Sequence, residues 1–276
     1  MASQNPYVPQ LGYVYPPNPD DHMVEIVAVR DVKVDENYPF LDKSFKFRLI
    51  RNLMHFAIFT FVFTMSPLRY GLKIEGRKIL RKYRKLLKNG AMTVSNHMHR
   101  WDFLFVLQAV RYRLMYFPLR KEHLNGPDQG YTRFAGGIPV PDEIQIIKYF
   151  NKAFDEIHAK KIWIHAYPES TRFDYFQPIR PFKKGVFSMA YRYNLPVLPI
   201  AISYREPRFP FTLLNKLRAS KGKPQLPMIT LRIGEPLLFD ENQGRKEAVL
   251  KMRKECHEAV VRLAGIQNNP YPAEGD

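Results

Sequence analysis

Ala91-Met92-Thr93-Val94-Ser95-Asn96-His97-Met98-His99-Arg100-Trp101-Asp102-Phe103-Leu104-Phe105-Val106-Leu107 sets two apolar runs on either side of a short polar turn. The first run is brief and bounded, as a buried strand is, and the second has the length and composition of an apolar helix start. His97 therefore falls in the turn and Asp102 in the first helical turn. Residues five apart in one helix lie about 140° apart around its axis, so the two meet only because the chain bends between them. In that geometry the carboxylate accepts one imidazole N–H, fixes the tautomer and leaves the other nitrogen to take a proton from a hydroxyl. The alternative reading of the same spacing is a capping Asp beside a packed His.

A His-Asp pair needs a nucleophile, and the chain offers no convincing one of its own. It has no Gly-x-Ser-x-Gly elbow, and its single cysteine, Cys256, lies in a helical pattern near the end. A nucleophilic hydroxyl belonging to the substrate is the simplest resolution. A metal is not expected: His97-Met98-His99 is followed by Trp101-Asp102-Phe103, where a His-x-His metallohydrolase site has Asp and then His in the next positions. His99 reads as a loop or packing residue.

The 276 residues are enough for one sizeable core plus an N-terminal appendage. One cysteine precludes an intrachain disulfide and suits a reducing compartment. Pro6, Pro9, Pro16, Pro17 and Pro19 interrupt any signal-peptide pattern, so secretion is not expected. The net charge of +17, from 43 Lys and Arg against 26 Asp and Glu, calls for anionic partners. Zinc-ligand spacings, helix-turn-helix patterns and RNA-binding aromatics are missing from the sequence, which puts a membrane surface or a phosphorylated substrate ahead of nucleic acid.

Along the chain, residues 1–43 read as an extended Pro-rich arm. Residues 44–90 read as a membrane-associating helical segment followed by a basic amphipathic helix. The apolar run 53–65 spans about 20 Å as a helix, short of the roughly 30 Å hydrocarbon core, so it is expected to dip into one leaflet, with a buried core helix as the alternative. From Arg77 to Lys88, Ile79, Leu80, Tyr83, Leu86 and Leu87 leave seven basic residues on the remaining arc, either against an anionic bilayer or in water. Residues 91–265 alternate strands and helices and predict a single α/β domain with a mixed sheet. Strands are expected at 161–165, 195–202 and 228–233, and helices through Ile146 to Ile157, from Lys184, and through Val249 to Leu263 with Gly265 at the end. Residues 266–276 read as a loose tail.

The strand at Ile162 leads into Tyr167-Pro168-Glu169-Ser170-Thr171-Arg172, and Pro181-Phe182-Lys183-Lys184-Gly185 follows soon after. An arginine beside a threonine hydroxyl at a strand end suits a phosphate, and Glu169 suits either a glycerol hydroxyl or the arginine itself. A surface ion pair on a loop is the other reading. In this order, Asn96-His97 to Asp102, Tyr167 to Arg172, Pro181 to Gly185 and Pro196 to Ile202 resemble the blocks of the glycerolipid acyltransferase family, the 1-acylglycerol-3-phosphate acyltransferases among them. Leu119-Arg120-Lys121-Glu122-His123-Leu124 and Ile233-Gly234-Glu235-Pro236 extend the similarity across residues 44–265.

The resemblance implies transfer of a fatty acyl chain from acyl-CoA or acyl carrier protein to a lysophospholipid hydroxyl, 1-acyl-glycerol-3-phosphate foremost, on the cytoplasmic face of a membrane, with no bound cofactor. It makes His97 the general base and Asp102 its orienting partner, and gives Asn96, Lys121, Glu169, Thr171 and Arg172 to substrate. It leaves the oxyanion to backbone amides near Asp102 or at Gly136-Gly137. Two departures keep other lysolipid acceptors, or an inactive lipid-binding relative, in view. Ser170 stands where the family has glycine, and Pro141-Asp142 where many members carry an Asp-Arg pair, so a second phosphate-holding arginine is missing there.

Overall fold

The computed structural model describes residues 6–9, 11–111, 113–240 and 242–273. Among these, seven strands form one mixed sheet in the order β1-β7-β6-β2-β5-β3-β4. They are β1 (Lys73–Glu75), β2 (Met92–Ser95), β3 (Met115–Arg120), β4 (Gly137–Val140), β5 (Trp163–Ala166), β6 (Val197–Arg205) and β7 (Met228–Ile233). The helices, in chain order, are α1 (Phe45–Ala57), α2 (Phe63–Tyr70), α3 (Arg77–Lys82), α4 (Arg84–Leu87), α5 (Asp102–Ala109), α6 (Glu122–Asn125) and α7 (Gln129–Phe134). The later ones are α8 (Ile147–Ala159), α9 (Lys184–Arg192), α10 (Phe211–Ala219) and α11 (Arg245–Ala264).

Strand β2 is buried at all four positions and is flanked in parallel by β5 and β6, with Val94 opposite both Ala166 and Pro199. A strand covered on both faces has no reason to alternate, which is why Ala91 to Ser95 reads as an unbroken apolar run. The β6–β7 pair is antiparallel and makes the sheet mixed. Leu198, Ile200 and Ile202 of β6 face one core layer with α5 and the α1–α2 segment; Val197 and Ala201 face the other, with α8, α9 and α11. On α8 the stripe Phe150, Ala153, Phe154 and Ile157 is buried, and each phenylalanine there contributes roughly 2–3 kcal/mol relative to exposure. Gly265 caps α11 at φ 81°, as its place after the last apolar position predicts.

Several boundaries move. Lys73–Glu75 pairs with β7, so the expected membrane segment 44–90 already contains an edge strand of the domain. The single basic helix expected over 77–88 is two short helices broken at Tyr83, with Leu80 and Leu87 buried and Arg77 hydrogen bonded to the Gln108 carbonyl. The tail is not loose up to Tyr271: Asn269 exchanges two hydrogen bonds with the Ile179 backbone, and Tyr271 packs near Phe176. Residues 274–276 lie outside the described residues, as do 1–5 of the arm.

Residues Phe45–Tyr70 form a 26-residue helical run, long and apolar enough to cross a membrane. One side is fastened to the domain: His55, Ile58, Phe63 and Ser66 are buried, and Gln108 donates to the Phe63 carbonyl at 3.0 Å. The other side exposes Phe45, Leu49, Leu53, Phe56, Phe61, Met65 and Leu68. Their steps are four, four, three, five, four and three residues. The step of five falls across a π turn at Ile58–Val62, whose wider winding takes up the extra residue and keeps the stripe on one side. Thr60 and Thr64 lie on the exposed side, and their hydroxyls bond back to the Phe56 and Thr60 carbonyls. Both threonine hydroxyls thus have an acceptor within the helix, as an apolar medium requires.

The arm crosses the domain along a fixed path. The Tyr15 hydroxyl donates to the Asp174 carbonyl, Tyr13 stacks on Tyr175, Asp20 pairs with Lys183, and the Pro19 carbonyl accepts from Arg180. Beyond residues 22–27 the chain is fastened again, by Val29 and Val32 to Asn125 and by Arg30 to Gln129. Phe40 ends the crossing in the core beside Phe150.

Candidate active site

The loops that follow β2 and β5 leave adjacent parallel strands at their carboxyl ends, where ligands bind in open α/β sheets. They are stitched together by backbone. The His97 carbonyl accepts from the Phe173 amide, the Met98 carbonyl from the Tyr175 amide and the Tyr204 hydroxyl, and the His97 amide donates to Glu169 at 2.8 Å.

Within this frame His97 Nδ1 lies 3.0 Å from Asp102 Oδ2, and the same oxygen accepts from the amides of Met98 and His99 at 2.8 and 2.9 Å. Asp102 is fully buried at the first position of α5, where a carboxylate also meets the positive end of the helix dipole. Burial raises its pKa, and the two amides oppose that rise. The Tyr167 ring stacks on the imidazole with centroids 3.9 Å apart and is met edge-on by His165, so the imidazole plane is held from beneath. Burial, then the Arg172 and Arg180 guanidinium groups, depress the His97 pKa well below the usual histidine value. A neutral imidazole with Nδ1 occupied leaves Nε2 as the acceptor.

His97 lines a cavity of about 990 Å³. Phe103, Phe117, Leu119, Phe150 and Met189 make its deep walls, and Val24, Ile26 and Val27 of the arm cross its mouth. Beside it lies a smaller recess that shares His97 and is lined by Arg120, His123, Thr171 and Arg172 of the domain and by His22 and Met23 of the arm. Arg120, His123 and Arg172 line both, so the cationic recess opens on the largely apolar cavity beside the imidazole.

The remaining expected site residues divide. Arg172 lines both compartments, held by Asp174 at 2.9 Å. Asn96 does not reach them: its side chain pairs with both the N–H and the carbonyl of Ile202 and pins the turn to β6. Glu169 is buried, with its oxygens taken by the His97 amide and by the amide and guanidinium of Arg180. Thr171 touches the recess, but its hydroxyl accepts from Arg180. Both belong to the scaffold rather than to a substrate. Lys121 turns outward into an ion pair with Asp142, so the departure at Pro141-Asp142 removes a cation from the site twice over. The preceding residue, Arg120, enters the recess instead. Gly136 and Gly137 are away from the cavity; a side chain at Gly136, where φ is 112°, would meet the Met115 carbonyl, so these glycines let β4 close on β3. That leaves the start of α5, with Trp101 and Phe103 in the cavity wall, as the nearer source of oxyanion amides. His99 is a packing residue, its Nδ1 accepting from the Trp101 amide among Tyr70, Phe105 and Tyr175.

Residues 71–203 match the sequence profile of the acyltransferase family. That match, just under half of the chain, takes in β1 to β5 and the loops that carry His97 and Arg172. An uncharacterized acyltransferase of Schizosaccharomyces pombe is 29% identical over 140 residues, which cover 49% of this chain and 48% of that protein, so the match spans about half the length of the relative. The crystal structure of PlsC, the 1-acyl-sn-glycerophosphate acyltransferase of Thermotoga maritima, shares the fold with a TM-score of 0.51 at 16% identity, covering 83% of this chain and 85% of that one.

Ser170, in the place of the usual glycine, has φ 65°. That left-handed conformation costs a side chain roughly 1–2 kcal/mol, part of which glycine returns through its freer unfolded chain. Ser170→Gly is therefore expected to stabilise the protein by about 0.5–1 kcal/mol in chemical denaturation. A variant less stable than the parent would show that the serine side chain makes up for its strain.

Proposed function

We propose that this protein transfers a fatty acyl group from an acyl thioester, of coenzyme A or of acyl carrier protein, to the free hydroxyl of a lysophospholipid, 1-acyl-glycerol-3-phosphate being the favoured acceptor. The observation that carries this reading is the meeting of an apolar cavity and an arginine-lined recess at His97. The acyl chain occupies the first and the acceptor's phosphate the second. His97 Nε2 takes the hydroxyl proton as the acceptor oxygen attacks the thioester carbonyl. The tetrahedral intermediate collapses with loss of thiolate, which takes the proton back from the imidazolium and leaves as free thiol. Asp102 holds the tautomer and balances the imidazolium charge. Backbone amides at the start of α5 that Asp102 and His99 do not already occupy would stabilise the oxyanion.

The exposed stripe of Phe45–Tyr70 supports docking of the domain flat on the bilayer that holds the lysolipid, because its opposite face is fixed to α5 and the core. A hydrophobic run that crossed the bilayer would have to leave that packing.

Thiol release from palmitoyl-coenzyme A, with and without lysophosphatidate, tests the reading directly. Acceptor-dependent release supports it; absence of release with every lysolipid and with both donors would overturn it. In the same assay Arg172→Ala is expected to raise KM for lysophosphatidate about tenfold to a hundredfold, from the loss of a charge-assisted pair, with little change for the donor. Equal losses for both substrates would remove Arg172 from the acceptor site.

A further inference from the structure

Residues 206–227, inserted between the antiparallel strands β6 and β7, leave Phe209, Leu213, Leu214 and Leu217 exposed. From 207 to 227 the insertion carries five basic residues, Arg208, Lys216, Arg218, Lys221 and Lys223, and no acidic one. Its shape is fixed: Asn215, the buried residue of α10, clamps both the amide and the carbonyl of Leu226, and Arg218 Nε donates to the Pro224 carbonyl. The fold thus holds the leucines outward. Phe211 packs beside Gly71, whose carbonyl accepts from Arg205, so α10 starts against the residue that ends α2, three positions after the exposed Leu68.

We propose that residues 207–227 are a second bilayer-docking element, which inserts Phe209, Leu213, Leu214 and Leu217 at the lipid interface and selects anionic lipid through its five cations. The charge decides the occupant. A uniformly basic rim without acids repels a second copy of this chain, whose net charge is +17, and fits an anionic surface. Two contact points at different places on the domain also fix its tilt, which one helix does not. This builds on the reading of α1 and α2 as a membrane face given above, and the test separates the two.

The full chain is floated with vesicles of phosphatidylcholine alone and of an equimolar mixture with phosphatidylglycerol. Wild type should bind the mixture more tightly. Lys216→Gln, Lys221→Gln and Lys223→Gln together should weaken that binding on the order of a hundredfold and leave binding to phosphatidylcholine unchanged. Leu213→Ser with Leu217→Ser should weaken both at least tenfold, with an unchanged melting temperature as control for folding. If these variants bind as wild type does while Leu53→Ser with Phe61→Ser abolishes flotation, the insertion is no docking element and α1 with α2 act alone. If wild type floats with neither vesicle, both readings fall. Sedimentation showing a wild-type dimer that the leucine variants dissociate would make the face a self-association surface and overturn the proposal.

Discussion

Alanine at His97 is expected to lower acceptor-dependent thiol release by about 10²–10⁴-fold, the usual contribution of a positioned general base. The fold should survive, because the turn is held by backbone: the His97 amide and carbonyl keep their bonds to Glu169 and Phe173 whatever the side chain. Unaltered turnover by a folded His97→Ala protein would remove the imidazole from the mechanism. Asp102→Asn is expected to cost less. Its carbonyl can still accept from the Met98 and His99 amides, while the charge that balances the imidazolium is lost.

The pH profile tests the same assignment from another side. His97 works as the neutral imidazole, and burial with Arg172 and Arg180 depresses its pKa. A depressed pKa keeps the base neutral through pH 7; burial pushes the Asp102 carboxyl up to about 7 while Arg172 holds both groups down, so the acid limb of kcat/KM belongs to the pair. Arg172→Ala removes one of the two cations and should move the limb upward. A limb that moves down in the variant would contradict this electrostatic account.

How much of this was legible in the sequence follows from which interactions have local signatures. Strand β2 and helix α5 were readable because burial on both faces and an apolar helix start are written in consecutive residues. The meeting of His97 and Asp102 followed from a turn between two elements. Edge strand β1 has three residues and β3 has Pro118 within it, and neither length nor composition announces a strand. Asn96 and Glu169 read as substrate ligands because their partners lie outside their motifs, Ile202 at 106 residues and Arg180 at 11, and a motif does not say which way its polar groups face. The arm has no period because its contacts go one by one to side chains and carbonyls of the domain. Its apolar Val24, Ile26 and Val27 belong to no strand among the described residues and line a cavity instead. Arg180 had one faint signal, a lone charge set between Ile179 and Pro181.

Arg180 carries the second large expected effect. Its side chain is 1% exposed, beneath the loop that bears His97. Its guanidinium meets Glu169 at 3.1 Å, donates to the Thr171 hydroxyl and carbonyl and to the Pro19 carbonyl, and lies 3.9 Å from the Phe173 ring centroid. Three segments, the arm, the loop after β5 and, through Glu169, the His97 turn, therefore converge on one cation. Arg180→Met leaves Glu169 buried without its partner, and the expected destabilisation is about 3–5 kcal/mol. Pairing it with Glu169→Gln removes the stranded charge and should restore a large part of that stability, since a buried ion pair replaced on both sides costs far less than one broken on one side. The double variant still lacks the anchor between Glu169 and the arm, so its turnover should stay low while its denaturation midpoint recovers. That separation of stability from rate identifies Arg180 as the group that positions the His97 turn. A single variant less than about 1 kcal/mol below wild type would mean that water or the neighbouring amides satisfy Glu169 without it.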